Sequence, residues 1–158
     1  MTLTEKLLPK LSDWHPAGDG RHSWAGSFPE AGWSVQLVAD KADTLSCLVW
    51  ELALTRSGDA PPGLSLTQWA NAVASRVNGL MEPLKVLEVD AQHGVATLRS
   101  AVPTVKHDAV TYYEVRLNGL ESAVVRRYTA SKTATGRVQL AFALTHEAIA
   151  KLAGDVAG

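Results

Sequence analysis

The sequence predicts an α+β domain in which an antiparallel sheet of about six or seven strands is flanked by helices, in the order α-ββ-α-βββββ-α. Three observations lead to this prediction. A helix start follows a proline-rich turn in the middle of the chain, strand-like segments fill residues 84–144, and helical spacing returns at the C-terminal end. The breaks between the strand-like segments are short, which favours hairpins over the long crossovers of a parallel sheet.

Length and composition are those of one folded domain. The chain has 158 residues, of which 46% are apolar and 20% charged, so it can form a core and is not expected to be disordered. We expect a single domain, 1–158, with an N-terminal arm and loop in 1–26 and the main domain in 27–158. No run approaches the ~18 consecutive apolar residues that cross a bilayer, so we expect a soluble protein without a membrane span.

The charge balance argues against nucleic acid as a partner. Fifteen basic and 16 acidic residues give a formal net charge of −1, which provides no overall field to attract phosphate or anionic lipid. Residues 1–11 carry Glu5, Lys6 and Lys10 and offer no apolar segment typical of a signal peptide. The expected location is therefore cytoplasmic.

The first third of the chain mixes irregular and strand-like segments. Leu7, Leu8 and Leu11 indicate a short helix or arm that Pro9 interrupts or delays. Residues 12–32 are rich in Trp, His, Gly and Pro, fit no periodic element and predict a loop pinned by aromatic side chains. The patterns that follow predict a half-buried strand at 33–37, a turn at 40–43 and a central strand covered on both sides at 45–54.

A helix start at Ser65 is the strongest local signal. Ser65 can cap the helix with Gln68 reciprocating three residues later, and Leu64 can pack against Trp69 as a hydrophobic staple. The residues at 78–79, Asn-Gly, supply a stop. One face of this helix carries apolar residues at helical spacing: Leu66, Trp69, Ala70, Val73, Ala74 and Val77.

The second half predicts an antiparallel meander and a final helix. The predicted strands are 84–90, 95–102, 110–117, 123–130 and 138–144. Asn118-Gly119 is a two-residue hairpin signal. Thr145 caps the last helix, whose sheet-facing residues are Ile149, Leu152, Ala153 and Val156.

Residues with metal or thiol chemistry are few. Cys47 lies in an apolar run and is interpreted as a small core residue. The nearest approach to a metal site is one stretch containing Asp13, His15, Asp19 and His22, whose spacing matches no known ligand set; a solvated loop is the favoured interpretation. No nucleophile elbow or phosphate-binding loop is present, and no cofactor is expected.

Two glutamates lie in predicted strands and leave two interpretations open. If Glu51 and Glu114 faced one cavity, they could act as acid and base. The favoured alternative is that each pairs with an arginine on a neighbouring strand. The available arginines are Arg99, Arg116, Arg126 and Arg127.

Tyrosine, arginine and tryptophan residues are the candidates for a protein-binding surface, because these types dominate interface hot spots. The candidate partner-binding residues are Trp14, Trp24, Trp33, Tyr112, Arg116, Arg126 and Tyr128. The tyrosines and arginines lie on two strands joined by a hairpin, and alternation separates Tyr112 and Arg116 from Tyr113. A solvated or helix-covered sheet face is the alternative. The three tryptophans could pack as a lid or form an exposed patch, whereas Trp50 and Trp69 are predicted to lie in the core.

Three segments, taken in order, resemble the PsbP-like fold and, within it, the bacterial DcrB-like proteins. They are 28–33 (FPEAGW), 63–69 (GLSLTQW) after a proline-rich turn, and the close at 138–148. The resemblance covers about 27–158. It implies a six- or seven-stranded antiparallel sheet between helices, generally without catalytic activity and used as a binding module. Some members resemble chaperones of type VI secretion effectors, which hold apolar effector segments in a groove and are often dimers.

The function expected from these observations is a non-enzymatic protein-binding module, a secretion effector-associated chaperone or adaptor that buries an apolar segment of a protein partner. A homodimer is a further possibility. The alternative is a small-molecule or hydrolytic pocket between the sheet and the middle helix, using Glu51 or Glu114. A type III secretion chaperone is a third candidate, but such proteins are usually markedly acidic and have fewer strands after the middle helix.

Overall fold

A computed structural model describes residues 1–158 and confirms the α+β class. The helices are α1 (Leu3–Ser12), α2 (Leu66–Arg76) and α3 (His146–Ala157). The strands are β1 (His22–Phe28), β2 (Trp33–Ala42), β3 (Ser46–Arg56), β4 (Leu84–Asp90), β5 (Val95–Ser100), β6 (Thr104–Lys106), β7 (Ala109–Asn118), β8 (Ser122–Ser131), β9 (Arg137–Leu140) and β10 (Phe142–Thr145). No helix is long and apolar enough to cross a membrane.

The strands form one antiparallel sheet whose main path is β1-β2-β3-β8-β7-β5-β4. Three short strands attach beside it: β10 on β3, β9 on β8 and β6 on β7. β3 and β8 pair only over 52–55 and 122–125. Beyond that stretch β9 continues the pairing of β8 and β10 continues that of β3, so a single segment broken at Ala141 fills the gap between the two strands.

All three helices cover the same face of the sheet. Leu7 and Leu11 of α1, Val73 of α2 and Ile149 of α3 are fully buried in one cluster with the inward side chains of the strands. Directly paired residues of an antiparallel sheet share a face, so the alternate residues of these strands face the other way. We call that second side the open face. Its residues include Ser23, Ala25, Ser27, Ser34, Gln36, Ala53, Thr55, Thr97, Arg99, Tyr112, Glu114, Arg116, Val124, Arg126 and Tyr128.

The two capped helices predicted from the sequence are confirmed. Ser65 and Gln68 form the reciprocal capping box of α2, and the Thr145 side chain accepts a hydrogen bond from the Ala148 amide at the start of α3. α2 ends at Arg76, before the predicted glycine stop, because Val77 is already extended. The predicted meander is also confirmed, and its β7–β8 hairpin has a three-residue loop in place of two.

Pro9 does not interrupt α1. The helix runs through it because a capping box between Thr2 and Glu5 fixes its start, and Leu3, Leu7 and Leu11 bury one face along its whole length. The predicted interruption is wrong, because burial of these leucines against the rest of the chain outweighs the one backbone hydrogen bond that proline cannot donate.

β1 lies inside the segment predicted as a loop. Its seven residues pair with β2 in unbroken register, and the Trp24 ring covers the position where a side chain on Gly26 would stand. β2 likewise continues to Ala42, through the predicted turn at 40–43. Glycine and serine in β1, and charged residues at the end of β2, hide the alternation that pairing with a neighbour produces.

The predicted central strand, β3, is covered by helices on one side only. The predicted strand at 138–144 is divided into β9 and β10. Between Val49 and Leu52 the register of β3 against β2 shifts, so a β-bulge places Trp50 and Glu51 together on the open face. The short β6 was not predicted.

Candidate functional site

Charges alternate along one line across the open face. The line runs over β3, β8, β7 and β5 through Glu51, Arg126, Glu114 and Arg99. The Arg126 Nε lies 2.7 Å from Glu51 Oε1, and the Arg99 Nε lies 3.0 Å from Glu114 Oε1. Cross-strand pairs of opposite charge stabilise this face of the sheet and hold the guanidinium groups in fixed positions.

Glu114 has a second arginine. Arg137 on β9 donates to both of its carboxylate oxygens, at 2.9 and 3.2 Å, and Glu114 is only 7% exposed beneath the two cations. Burial alone would raise the pKa of Glu114, but the hydrogen bonds from Arg137 and Arg99 outweigh it and lower that pKa below its ordinary value. Glu114 is therefore a fixed anion, and this is the opposite of what a general acid needs.

Aromatic rings and guanidinium groups stack on the same face. Arg137 lies over the Tyr128 ring at 3.7 Å from its centroid, and Arg99 lies over Tyr112 at 5.0 Å. The two tyrosine rings are 6.1 Å apart. Each ring therefore carries a cation on its face, and the side chains form one packed layer. We call this group the arginine–aromatic cluster: Glu51, Arg99, Tyr112, Glu114, Arg126, Tyr128 and Arg137.

A shallow depression of about 480 Å³ lies on the other half of the face, over β1, β2 and β3. Its lining residues are Ala25, Gly26, Ser27, Ser34, Val35, Gln36, Ala53 and Thr55. None is charged and most are small, so the backbone is close to the surface there. The depression can accommodate apolar side chains of another molecule that a surface of large residues would exclude.

Four of the candidate partner-binding residues lie on the open face. Arg116 is exposed and has no ion-pair partner, and Tyr112 and Arg126 are half-buried in the cluster. Tyr128 is 7% exposed beneath Arg137, so its side chain supports the cluster and has little surface of its own.

The three N-terminal tryptophans do not form an exposed patch. Trp33 is 4% exposed and stacks on Trp69 at 5.9 Å, with Arg56 over its ring. Trp24 packs against Phe28, and Trp14 is half-buried against the core. The placing of Trp33 among the candidate surface residues is corrected here: the alternation of β2 turns its side chain toward the helices, where it is buried.

Glu51 and Glu114 do not face a common cavity beneath α2. Both lie on the open face, on the opposite side of the sheet from the three helices, and each is paired with arginine across a neighbouring strand. The geometry matches the cross-strand interpretation. A cavity beside α2, lined in part by Trp33, Leu64 and Trp69, contains neither carboxylate.

Sequence reasoning missed three contributors to the face. Arg137 comes from the separate strand β9, and Arg21 lies over the Trp50 ring at 3.8 Å while its Nε contacts Asp40. Trp50 was predicted in the core, and the β-bulge moves it to the open face. Local alternation cannot reveal a bulge, so only the excess of arginine near tyrosine could have pointed to the cluster.

The remaining candidates are Cys47 and the stretch containing Asp13, His15, Asp19 and His22. Cys47 is buried as predicted, and burial, assisted by the charge of Asp43, raises the pKa of its thiol to about 11. Asp19 and His22 border one depression with Asp40 and Asp43, while Asp13 and His15 do not line it. No three His, Cys, Asp or Glu side chains are arranged to hold a metal ion.

Comparison of the chain with protein-family models, with curated proteins and with solved structures finds no match.

Proposed function

We propose that this chain is a non-enzymatic protein-binding module whose open face buries an apolar segment of a protein partner. The observation that carries the proposal is the one-sided helix layer. Three helices bury one face of the sheet, while the other presents a small-residue depression beside the arginine–aromatic cluster. An exposed face combining a place for apolar side chains with fixed polar anchors has the composition of an interface.

The proposed role is that of a cytoplasmic chaperone or adaptor for a secretion effector, with a PsbP-like fold of the bacterial DcrB-like kind. The order of helices and strands supports this assignment, together with the three segments that resemble that family. The uncovered sheet face is where a groove for an apolar segment would lie in such a module.

A homodimer is the proposed assembly. β1 is an edge strand of seven residues without an Asp, Glu, Lys, Arg or Pro, and its pairing with β2 contains no bulge. The opposite edge, β4, carries Lys85 and Glu88 and a register shift, which are devices that discourage pairing with another chain. Light scattering on the purified chain tests this assembly: a dimer mass supports it, and a monomer mass at all concentrations contradicts it.

Affinity capture from the native cytosol tests binding by the open face. Thr55→Arg places a large charged side chain in the depression at an exposed position, and Asn71→Arg places the same side chain on the exposed side of α2 as the matched control. We expect the wild type and Asn71→Arg to retain the same protein, and Thr55→Arg to lose most of it. The bound segment, mapped by limited proteolysis of the complex, should be apolar. Equal retention by all three, or retention of a purely polar segment, would contradict the proposal.

A further inference from the structure

The open face is asymmetric in charge. In strands β3, β5, β7, β8 and β9 its ionised side chains are four arginines and two glutamates: Arg99, Arg116, Arg126, Arg137, Glu51 and Glu114. This local excess of two positive charges occurs in a chain whose formal net charge is −1. The adjoining edge strand β4 contributes Lys85, Glu88 and Asp90, a net charge of −1 that is smaller than this excess. The cluster therefore attracts anions although the whole chain does not.

In two of the four arginines both terminal nitrogens lack a hydrogen-bond partner. Arg126 and Arg137 are engaged by Glu51 and Glu114 together with tyrosine hydroxyls. Arg99 donates to protein only through Nε, which leaves both of its terminal nitrogens free, and Arg116 makes no hydrogen bond or ion pair through its side chain. A guanidinium with a free edge binds a carboxylate in a bidentate geometry.

Arg99 and Arg116 are neighbours. Thr97 pairs with Arg116 and Arg99 pairs with Glu114, so the two arginines are diagonal neighbours on β5 and β7. Diagonal positions on one face are about 7–8 Å apart, within reach of two long side chains. Their free donors can converge on one carboxylate or on two successive ones.

Arg116 also lies in line with the depression. One cross-strand row runs through Ala25, Gln36, Ala53, Val124 and Arg116, from β1 to β7. Neighbouring strands are about 4.8 Å apart, so Arg116 stands roughly 14 Å from Gln36 and about 10 Å from Ala53. A segment that lies across the strands with its apolar part over Ala53 and Val124 brings its next residues to the arginine pair.

We propose that the partner segment is an apolar stretch followed by acidic residues, with the apolar part in the depression and the carboxylates on Arg116 and Arg99. This inference rests on the proposed function and names the chemistry of the partner. A protein segment fits better than a nucleic acid, because a phosphate backbone has no apolar side chains to fill the uncharged depression.

Three synthetic peptides test the inference. Each has the same eight-residue block of leucine and alanine followed by four residues that are Glu, Gln or Lys, and each is labelled for fluorescence anisotropy. We expect the wild-type chain to bind the Glu peptide about tenfold more tightly than the Gln peptide and to bind the Lys peptide more weakly still. The preference should decrease as salt rises, because charges at an exposed rim are screened.

Charge reversal at Arg116 locates the effect. Arg116→Glu should reduce the affinity for the Glu peptide about tenfold and raise that for the Lys peptide, whereas Lys10→Glu on α1 should change neither. Arg116→Gln removes the positive charge without adding a negative one and should weaken the preference for the Glu peptide over the Gln peptide. It is the milder variant, for the case that charge reversal prevents folding. Melting temperatures establish that each variant is folded.

Equal affinity for the Glu and Gln peptides would overturn the acidic specificity while leaving apolar binding by the open face intact. A preference for Glu that Arg116→Glu does not alter would overturn the assignment to this arginine pair. Displacement of the Glu peptide by a single-stranded oligonucleotide at comparable concentration would reassign the cluster to phosphate. The Thr55→Arg variant tests the proposed function separately. Loss of binding of all three peptides by this variant supports apolar binding in the depression, and unchanged binding contradicts it.

Discussion

Gly154 marks a close contact between α3 and α1. A Cβ added there would stand 2.0 Å from Thr4 Oγ1 and 3.3 Å from Thr4 Cβ, so α1 and α3 approach through a glycine where another residue would clash. The two helices hold Leu7 and Ile149 in the core. The close approach therefore positions the layer that covers the inner face of the sheet.

Gly154→Ala should lower the free energy of unfolding by about 1–2 kcal/mol, because overpacking outweighs the better helix propensity of alanine. Thr4→Ala in the same chain should restore much of the loss by removing the hydroxyl. Gly79→Ala is the control: its added Cβ would meet nothing closer than 4.0 Å, and a change within about 0.5 kcal/mol is expected. Urea unfolding measures all four chains, and an unchanged Gly154→Ala would refute the contact.

Glu82 and Arg127 form a buried ion pair beside β6. Arg127 donates to both carboxylate oxygens of Glu82 at 3.3 and 3.2 Å, and the hydroxyls of Ser100 and Thr104 also donate to Glu82. Burial alone would raise the pKa of Glu82, but these hydrogen bonds outweigh it and lower the pKa below its ordinary value of 4.5. The pair fastens the segment between α2 and β4 to the sheet.

Glu82→Gln should destabilise the fold by about 3–5 kcal/mol near neutral pH, because it leaves the buried Arg127 without its counter-charge. Because the pKa of Glu82 is lowered on folding, its stabilisation is complete above 4.5 and is lost as the pH falls through the native value. The difference between wild type and Glu82→Gln should therefore shrink in acid. Exposed Glu88→Gln serves as the control, and a difference that does not change with pH would contradict the assignment.

Helix caps are the elements that local sequence predicts best. The capping box of α2 and the cap of α3 depend on residues three apart, and both form as expected. β4, β5, β7 and β8 also follow from local alternation, since each has one buried face. These elements need no information beyond their own residues.

The elements that could not be predicted depend on distant partners. β1 forms because β2 pairs with it, and the split of β9 from β10 follows from the divergence of β3 and β8. The bulge that exposes Trp50 has the same origin. The candidate site was accordingly predictable only in part: Tyr112, Arg116 and Arg126 were found on their strands, while Arg137 and the depression required the assembled sheet.

Ser65→Ala should lower the free energy of unfolding by about 1 kcal/mol, because it removes the oxygen that accepts a hydrogen bond from the Gln68 amide and thus half of the capping box. Ser57→Ala is a matched control at an exposed loop position whose hydroxyl bonds to no other residue. Thermal unfolding followed by circular dichroism compares the two. Equal melting temperatures would show that the cap does not stabilise α2 in the folded chain.

The whole molecule has two layers, a layer of helices and a sheet. The helices cover one face of the sheet, and the other face is exposed. The inner face is closed by helices around a cluster of 30 buried residues, and the open face combines an uncharged depression with a fixed arrangement of charge. Burial of apolar side chains from a partner in the depression would supply affinity, and the arginines would supply orientation. The helix layer closes the core, and the open face carries the proposed recognition site.

Site-specific photo-crosslinking of the chain in its native cells tests this division most directly. A photoreactive amino acid at Gln36, exposed on the open face, is compared with one at Asn71, exposed on α2. We expect one partner to be crosslinked through Gln36, at an apolar stretch adjoining acidic residues, and not through Asn71. Crosslinking through Asn71 alone would place binding on the helix layer and contradict the role proposed for the open face.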